Sequence, residues 1–244
     1  MDLRSRQNVF AAANLLLAAD GRFPAGGYAH SYGLEQAAER GRIRDERDLH
    51  GFLRGQLNTL GRISACFAAA ACHAWRTADP ADPLATFERD ARIADLTAEE
   101  SARIPSAELR SVSRAMARSF LRATGESWPQ LSIPRASIAP GGLHLSAAQG
   151  IVAAELSLDP RGAALLNAYG SITGPAAAAV KLLGLDPFAV NRVVTALSGT
   201  LAELVDEAGD LAQCAADELP CASAPLIEIG AELHARRQPR MFAS

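Results

Sequence analysis

The sequence predicts an all-α protein, a single-domain bundle of about ten helices. Three observations carry that expectation. Alanine fills 51 of the 244 positions and aromatic residues only 5%; alanine has the best helix propensity and lets helices approach closely. Runs of β-branched and aromatic residues, which strands prefer, are scarce. Finally, Asp-Pro pairs punctuate the chain at Asp82-Pro83, Asp159-Pro160 and Asp186-Pro187. In such a pair the Asp carboxylate caps an orphan backbone N–H, and proline takes the first helical position, where it has no N–H to lose.

The elements follow in order. A first helix spans about Gln7 to Ala19. A second runs from His30 to Arg40 and is closed by Gly41. Leu49, Phe52, Leu53 and Leu57 stripe a third that starts near Asp45, and Cys66, Phe67, Ala70, Ala74 and Trp75 mark a fourth. Leu84, Phe87, Ala91 and Ala94 follow Asp82 at helical spacing. Leu109, Val112, Met116 and Phe120 place the next helix between Ser106 and Gly125. The stretch from Gly125 to Gly142, with Pro129, Pro134 and Pro140, reads as an irregular connection. A helix over Leu143–Leu156 comes next, then a long pattern from Pro160 to Leu183 that Gly174-Pro175 is expected to kink or divide. Phe188, Val190, Val193, Val194, Leu197, Leu201 and Leu204 form one continuous stripe after Asp186, and Pro225 to Arg236 closes the series.

Composition narrows the function. Hydrophobic residues reach 49%, enough for one sizeable core, and the formal net charge is −3. A balance that mild argues against a surface built for nucleic acid or anionic membrane. Arg40, Arg42, Arg44, Arg47 and Arg54 cluster, but Glu39, Asp45, Glu46 and Asp48 interleave with them, the pattern of a solvated face. The longest uncharged stretches, Ala136–Ala154 and Gly162–Val180, hold too many Pro, Gly, His, Gln or Asn residues to span a bilayer. Arg4 and Arg6 precede an apolar run from Val9 to Ala19 that resembles a short signal peptide. Asp2 and Asn14 weaken that resemblance, and no small-x-small site follows. Cys66, Cys72, Cys214 and Cys221 form no C-x-x-C pair and suggest no disulfide framework, so a reducing cytosol is the expected compartment.

No catalytic constellation is complete. Gly26-Gly27 is not followed by the Gly-Lys-Ser/Thr of a phosphate-binding loop. Ala29-His-Ser-Tyr-Gly33 is a loose relative of the nucleophile elbow, but that motif needs a preceding strand, and Phe23-Pro24-Ala25-Gly26-Gly27 cannot form a central one. From spacing alone, His30 and Ser31 cap the second helix. Cys66 and His73 share a helix face two turns apart, about 10 Å, too far for ligands of one ion. The acidic groups Asp45-Glu46-x-Asp48 and Asp206-Glu207-x-x-Asp210 could hold magnesium diphosphate as in isoprenoid synthases, yet Asp45 sits where an N-cap belongs and Asp206 and Asp210 can simply face solvent. A binding protein is the expectation, with no cofactor of its own.

Three segments carry a family resemblance. Leu16-Leu-Ala-Ala-Asp-Gly-Arg-Phe-Pro-Ala-Gly-Gly-Tyr-Ala-His-Ser-Tyr-Gly-Leu-Glu35 resembles the opening signature of the UreF family of urease accessory proteins. Asp20, Pro24, Gly26, His30, Ser31, Gly33 and Glu35 match it; Gly21 and Ala25 replace its usual residues. Gly174-Pro-Ala-Ala-Ala-Ala-Val-Lys-Leu-Leu-Gly-Leu185 resembles the family's lysine-bearing helix, and His234-Ala-Arg-Arg-Gln-Pro-Arg-Met-Phe-Ala-Ser244 its C-terminus. Departures are local: Ala235 stands where glutamate is usual, and Leu183-Gly-Leu-Asp186 replaces Leu-Gly-Gln.

The resemblance implies an all-α, cytoplasmic dimer that binds UreD (UreH in some systems) and recruits the GTPase UreG, so that Ni²⁺ reaches apo-urease upon GTP hydrolysis. Nickel ligands and nucleotide would belong to UreG, while an internal nickel route through the UreF–UreD pair belongs to the same picture. It implies partner-binding roles for Pro24, Gly26, His30, Ser31, Glu35, Lys181, His234, Arg240, Met241, Phe242 and Ser244, with residues 237–244 forming a contact tail. Blander readings stand beside these: a tail folded back on its own domain, Lys181 snorkelling from an apolar helix, and Glu35 pairing with nearby arginines.

Overall fold

A computed structural model of the chain describes residues 3–25, 31–133 and 138–235, with the backbone alone for residues 3–7, 234 and 235. Every regular element among them is helical: α1 (Leu3–Ala19), α2 (Leu34–Glu39), α3 (Glu46–Gln56), α4 (Arg62–Thr77), α5 (Pro83–Arg103), α6 (Ala107–Ser127), α7 (Leu145–Glu155), α8 (Pro160–Leu183), α9 (Pro187–Ala196), α10 (Ser198–Asp210) and α11 (Pro225–Ala235). The expected all-α class is therefore observed.

Capping explains where most helices begin. The side chains of Asp45, Asp82, Ser106, Asp159 and Asp186 each accept from a backbone N–H in the first turn of the helix that follows. Each such cap contributes about 1 kcal/mol.

Helix α4 is the axis of the bundle. Ile63 and Ala65 to Cys72 are all buried along it, and it packs most extensively on α7 and α8, with α5 and α10 completing its jacket. The close approach depends on small residues. A Cβ placed at Gly150 of α7 would lie 2.4 Å from the Ala68 carbonyl oxygen and 2.9 Å from the Cys72 nitrogen of α4. Phe67, 1% exposed, fills the centre, and burying such a ring stabilises by about 2–3 kcal/mol. A smaller cluster joins α1, α6 and α7 around Phe120, Val152 and Leu156. Phe23, just after α1, clips the chain to it with ring centroids 5.8 Å from Phe120 and 5.7 Å from Trp128.

The structure corrects the sequence reading at several points. Gly174-Pro175 does not divide α8, which spans the pair as one helix; a proline ring also crowds the Cβ of the residue before it, and glycine has none. The division falls instead within the stripe after Asp186, where α9 and α10 meet at 43°. Ser198-Gly199 begins α10 there, and such pairs are common kink sites. The second helix starts at Leu34, not His30, after Tyr32 and Gly33 adopt φ of 53° and 84°. Gly33 is its N-cap, while Ser31 Oγ accepts from the Glu35 nitrogen at 3.4 Å. Finally, α3 passes into α4 through a π-helical turn, Leu57–Gly61.

Candidate functional site

Three cavities lie in series through the molecule. The largest, about 830 Å³, is a groove between α1, the turn after it and α8. Asp20, Gly21, Phe23 and Ala25 line one side of it, and Thr173, Gly174, Ala177 and Lys181 the other. The opening motif and the lysine helix, some 150 residues apart in sequence, thus share one groove. Asp20 shapes the turn: it binds Arg22 in a 2.6 Å ion pair that holds its carboxyl down at about 2.

The groove leads inward to a chamber of about 130 Å³. Tyr32, Met116, Leu145, Gln149 and Gly170 line both, and so form the neck between them. Oxygen atoms dominate the chamber's polar lining. Glu100, 2% exposed, accepts from the Ser146 hydroxyl. Burial raises its pKa to about 7, against the opposing pull of the Ser146 hydrogen bond and of Arg103 and Arg114. Asn167 Nδ2 donates to Gln149 Oε1 at 2.8 Å. Gln56 Oε1 and Asn167 Oδ1, both buried, find no hydrogen-bond partner among the described residues. Such orphan acceptors call for a donor or a cation in the space they face.

Gln56, on the rim of the π-helical turn, also lines a third cavity of about 360 Å³. This one opens between α2, α3 and α11, with Ile43, Phe52 and Ile227 among its apolar walls and Arg40 and Arg42 at its edge. Gln56 thus borders both the chamber and this second opening.

Beside the chamber, His144 is fully buried with Nε2 2.8 Å from Ser101 Oγ and Nδ1 3.0 Å from Ser113 Oγ. One neutral tautomer satisfies every partner. Ser101 donates to the Thr97 carbonyl and accepts from Nε2, while Ser113 donates to Nδ1 and accepts from the Leu145 nitrogen. Burial, reinforced by Arg114 and Arg110, pushes its pKa down to about 4.

The other candidates from sequence are placed as follows. Lys181 is exposed, in the last turn of α8 at the groove, and Pro24 is exposed on the turn. Ser31 and Glu35 are buried, Glu35 at 6% exposure, so in this chain alone neither lies at the surface. Gly26, His30, Arg240, Met241, Phe242, Ser244 and the side chain of His234 lie outside the described residues. Cys66 and Cys72 are buried, which drives both thiols up to about 12. Among the described residues no three His, Cys, Asp or Glu side chains gather to hold a metal ion. The two acidic groups are occupied locally: Asp45 caps α3, Asp48 pairs with Arg44 at 3.1 Å, and Asp206 and Asp210 grip Arg161 at 3.1 and 2.6 Å. Within the described residues no single helix is long and apolar enough to cross a membrane.

Tyr32, Gln56, Glu100, Gln149 and Asn167 escaped the sequence reading. Tyr32 stands within the opening motif, the other four lie on four different helices, and no spacing rule links residues that meet only through helix packing.

The UreF family model matches residues 43–198. A urease accessory protein UreF from Mycobacterium sp. (strain JLS) is 36% identical over 230 residues, covering 94% of this chain and 97% of its own. Those of Mycolicibacterium vanbaalenii and Mycobacterium tuberculosis (strain H37Rv) are 34% and 32% identical over 232 residues, covering 95% of this chain and 98% of theirs.

Proposed function

Since the chain belongs to the UreF family of urease accessory proteins, we propose that it is a non-catalytic scaffold for nickel insertion into apo-urease. In this reading it works in the cytoplasm as a dimer, binds UreD (UreH), and recruits UreG, whose GTP hydrolysis releases the Ni²⁺. The end-to-end match to relatives of that name carries the proposal. The adjoining cavities add physical support: the chamber, beside groove and second opening, sets the side-chain oxygens of Gln56, Glu100 and Asn167 in largely apolar walls. A chamber with carboxyl, hydroxyl and amide groups but no imidazole or thiolate in its lining suits cargo in passage, because tight nickel or zinc sites are built from imidazole and thiolate.

Partner contacts are assigned to Pro24, Gly26, His30, Ser31, Glu35, Lys181, His234 and the terminal residues Arg240, Met241, Phe242 and Ser244. Deleting residues 239–244 is expected to abolish capture by tagged UreD while the thermal melt stays cooperative. A desolvated aromatic anchor or arginine contributes about 2 kcal/mol, a factor of roughly 30 in affinity, so Phe242→Ala and Arg240→Ala should each reproduce most of the defect. Full capture of the truncated chain would remove the tail's role, and a collapsed melt would make the tail structural.

A further inference from the structure

The neck between groove and chamber is built from unequal parts. Met116, Leu145, Gln149 and Gly170 belong to α6, α7 and α8, long helices locked into the core. Tyr32 alone belongs to a turn, and its φ of 53° is a left-handed conformation that an L-residue holds only at a cost in conformational energy. Its ring lies over Gly174 of α8 so closely that a Cβ there would be 2.6 Å from Tyr32 Cε2 and 3.1 Å from Cδ2. Nothing but the missing side chain of Gly174 gives the ring its seat.

We propose that Tyr32 is the door of the chamber: with its ring seated on Gly174 the neck is closed, and when the strained turn carries the ring away, small solutes pass between groove and chamber. The four helical residues are the frame, since their backbones are held in long helices of the core. Tyr32 is thus a positioning residue, and it acts by controlling access. That the solute is a metal ion in transit rests on the accessory-protein reading above, whereas the door itself stands on the geometry of the neck. Tyr32 is half-buried, and desolvation raises its phenol pKa to about 12.

A thiol reporter inside the chamber tests this without partners or metal. In the full chain carrying Cys214→Ser and Cys221→Ser, Asn167→Cys places a thiol on the chamber wall. Its reaction with methyl methanethiosulfonate is followed by peptide mass spectrometry, with buried Cys66 and Cys72 as internal controls. Tyr32→Ala removes the door, and Gly174→Ala unseats it by filling its recess. Both should speed modification at position 167 by about tenfold or more, as expected when access no longer requires a local opening. Tyr32→Phe, which keeps the ring, should label at the parent rate. Cys66 and Cys72 should stay slow in every variant. Equal rates at position 167 in parent, Tyr32→Ala and Gly174→Ala would overturn the proposal, and so would an acceleration matched at Cys66, which would mark general loosening. Failure here would leave complex formation with UreD untouched, so the two readings fall separately.

Discussion

Gly150→Ala is expected to lower the melting temperature by roughly 6–12 °C, from a destabilisation of about 3 kcal/mol in a chain of this length. A single methyl is added, but it arrives where α4 and α7 touch backbone to backbone. It would meet the Ala68 oxygen at 2.4 Å, the Ala71 Cβ at 2.8 Å and the Cys72 nitrogen at 2.9 Å. None of these is the end of a flexible side chain, so the helices themselves must separate. Separation spoils packing along the whole α4 axis, where interiors are already close-packed. Gly125→Ala is the control. It lies on an exposed position of α6 with nothing within 4 Å, and replacing a helical glycine by alanine should stabilise by up to about 1 kcal/mol. Thermal melts of the two variants should therefore move in opposite directions. Equal shifts would show that the α4–α7 contact is looser than described.

Glu100→Gln should stabilise the protein by about 2–3 kcal/mol at pH 8 and change little near pH 4.5. The carboxyl's folded pKa is raised to about 7 from an ordinary 4.5. Its contribution is thus fully present below about pH 4.5 and is lost as pH rises through 7, since the unfolded chain ionises first. His144 runs the other way. With its folded pKa depressed to about 4 from 6.5, it contributes above about pH 6.5 and is lost as pH falls through 4. Between roughly pH 4.5 and 6.5 the two slopes offset, so the parent protein should show nearly flat stability there. Glu100→Gln keeps an acceptor for Ser146 and removes one slope, which should leave stability rising with pH across that window. Urea melts at pH 4.5, 5.5, 6.5 and 8 read this directly. A variant whose pH profile merely parallels the parent's would mean that Glu100 is already ionised in the fold, with the chamber wetter than its burial implies.

Local chemistry was legible in the sequence, and tertiary chemistry was not. Asp45, Asp82, Ser106, Asp159 and Asp186 sit at helix starts as their spacing implied, because a cap is settled within three residues. The Ser198-Gly199 kink and the π-helical turn at Leu57–Gly61 left only weak local marks, and an unbroken apolar stripe masked the former. Gly174-Pro175 stands out locally as a helix-disturbing pair. It does not divide α8, yet the glycine's bare surface seats Tyr32. Glu100, Gln56, Gln149 and Asn167 come from four different elements, and only the packing of α3, α5, α7 and α8 brings them to one chamber. The family was legible at the chain's two ends and in the lysine helix, while the family model matches residues 43–198. The opening and closing signatures lie outside that match, so the two lines of recognition rest largely on different residues.

In the proposed role this chain assembles urease's nickel-loading complex without catalysing a reaction of its own. The most direct measurement is reconstitution: purified chain, UreD, UreG, apo-urease, Ni²⁺ and GTP, with nickel bound to urease and ureolytic activity read together. Nickel content and activity should appear only when this chain is present, and the chain should hydrolyse no GTP by itself. Equal nickel loading with and without the chain, or failure of the full-length protein to enter a complex with UreD and UreG, would contradict that role.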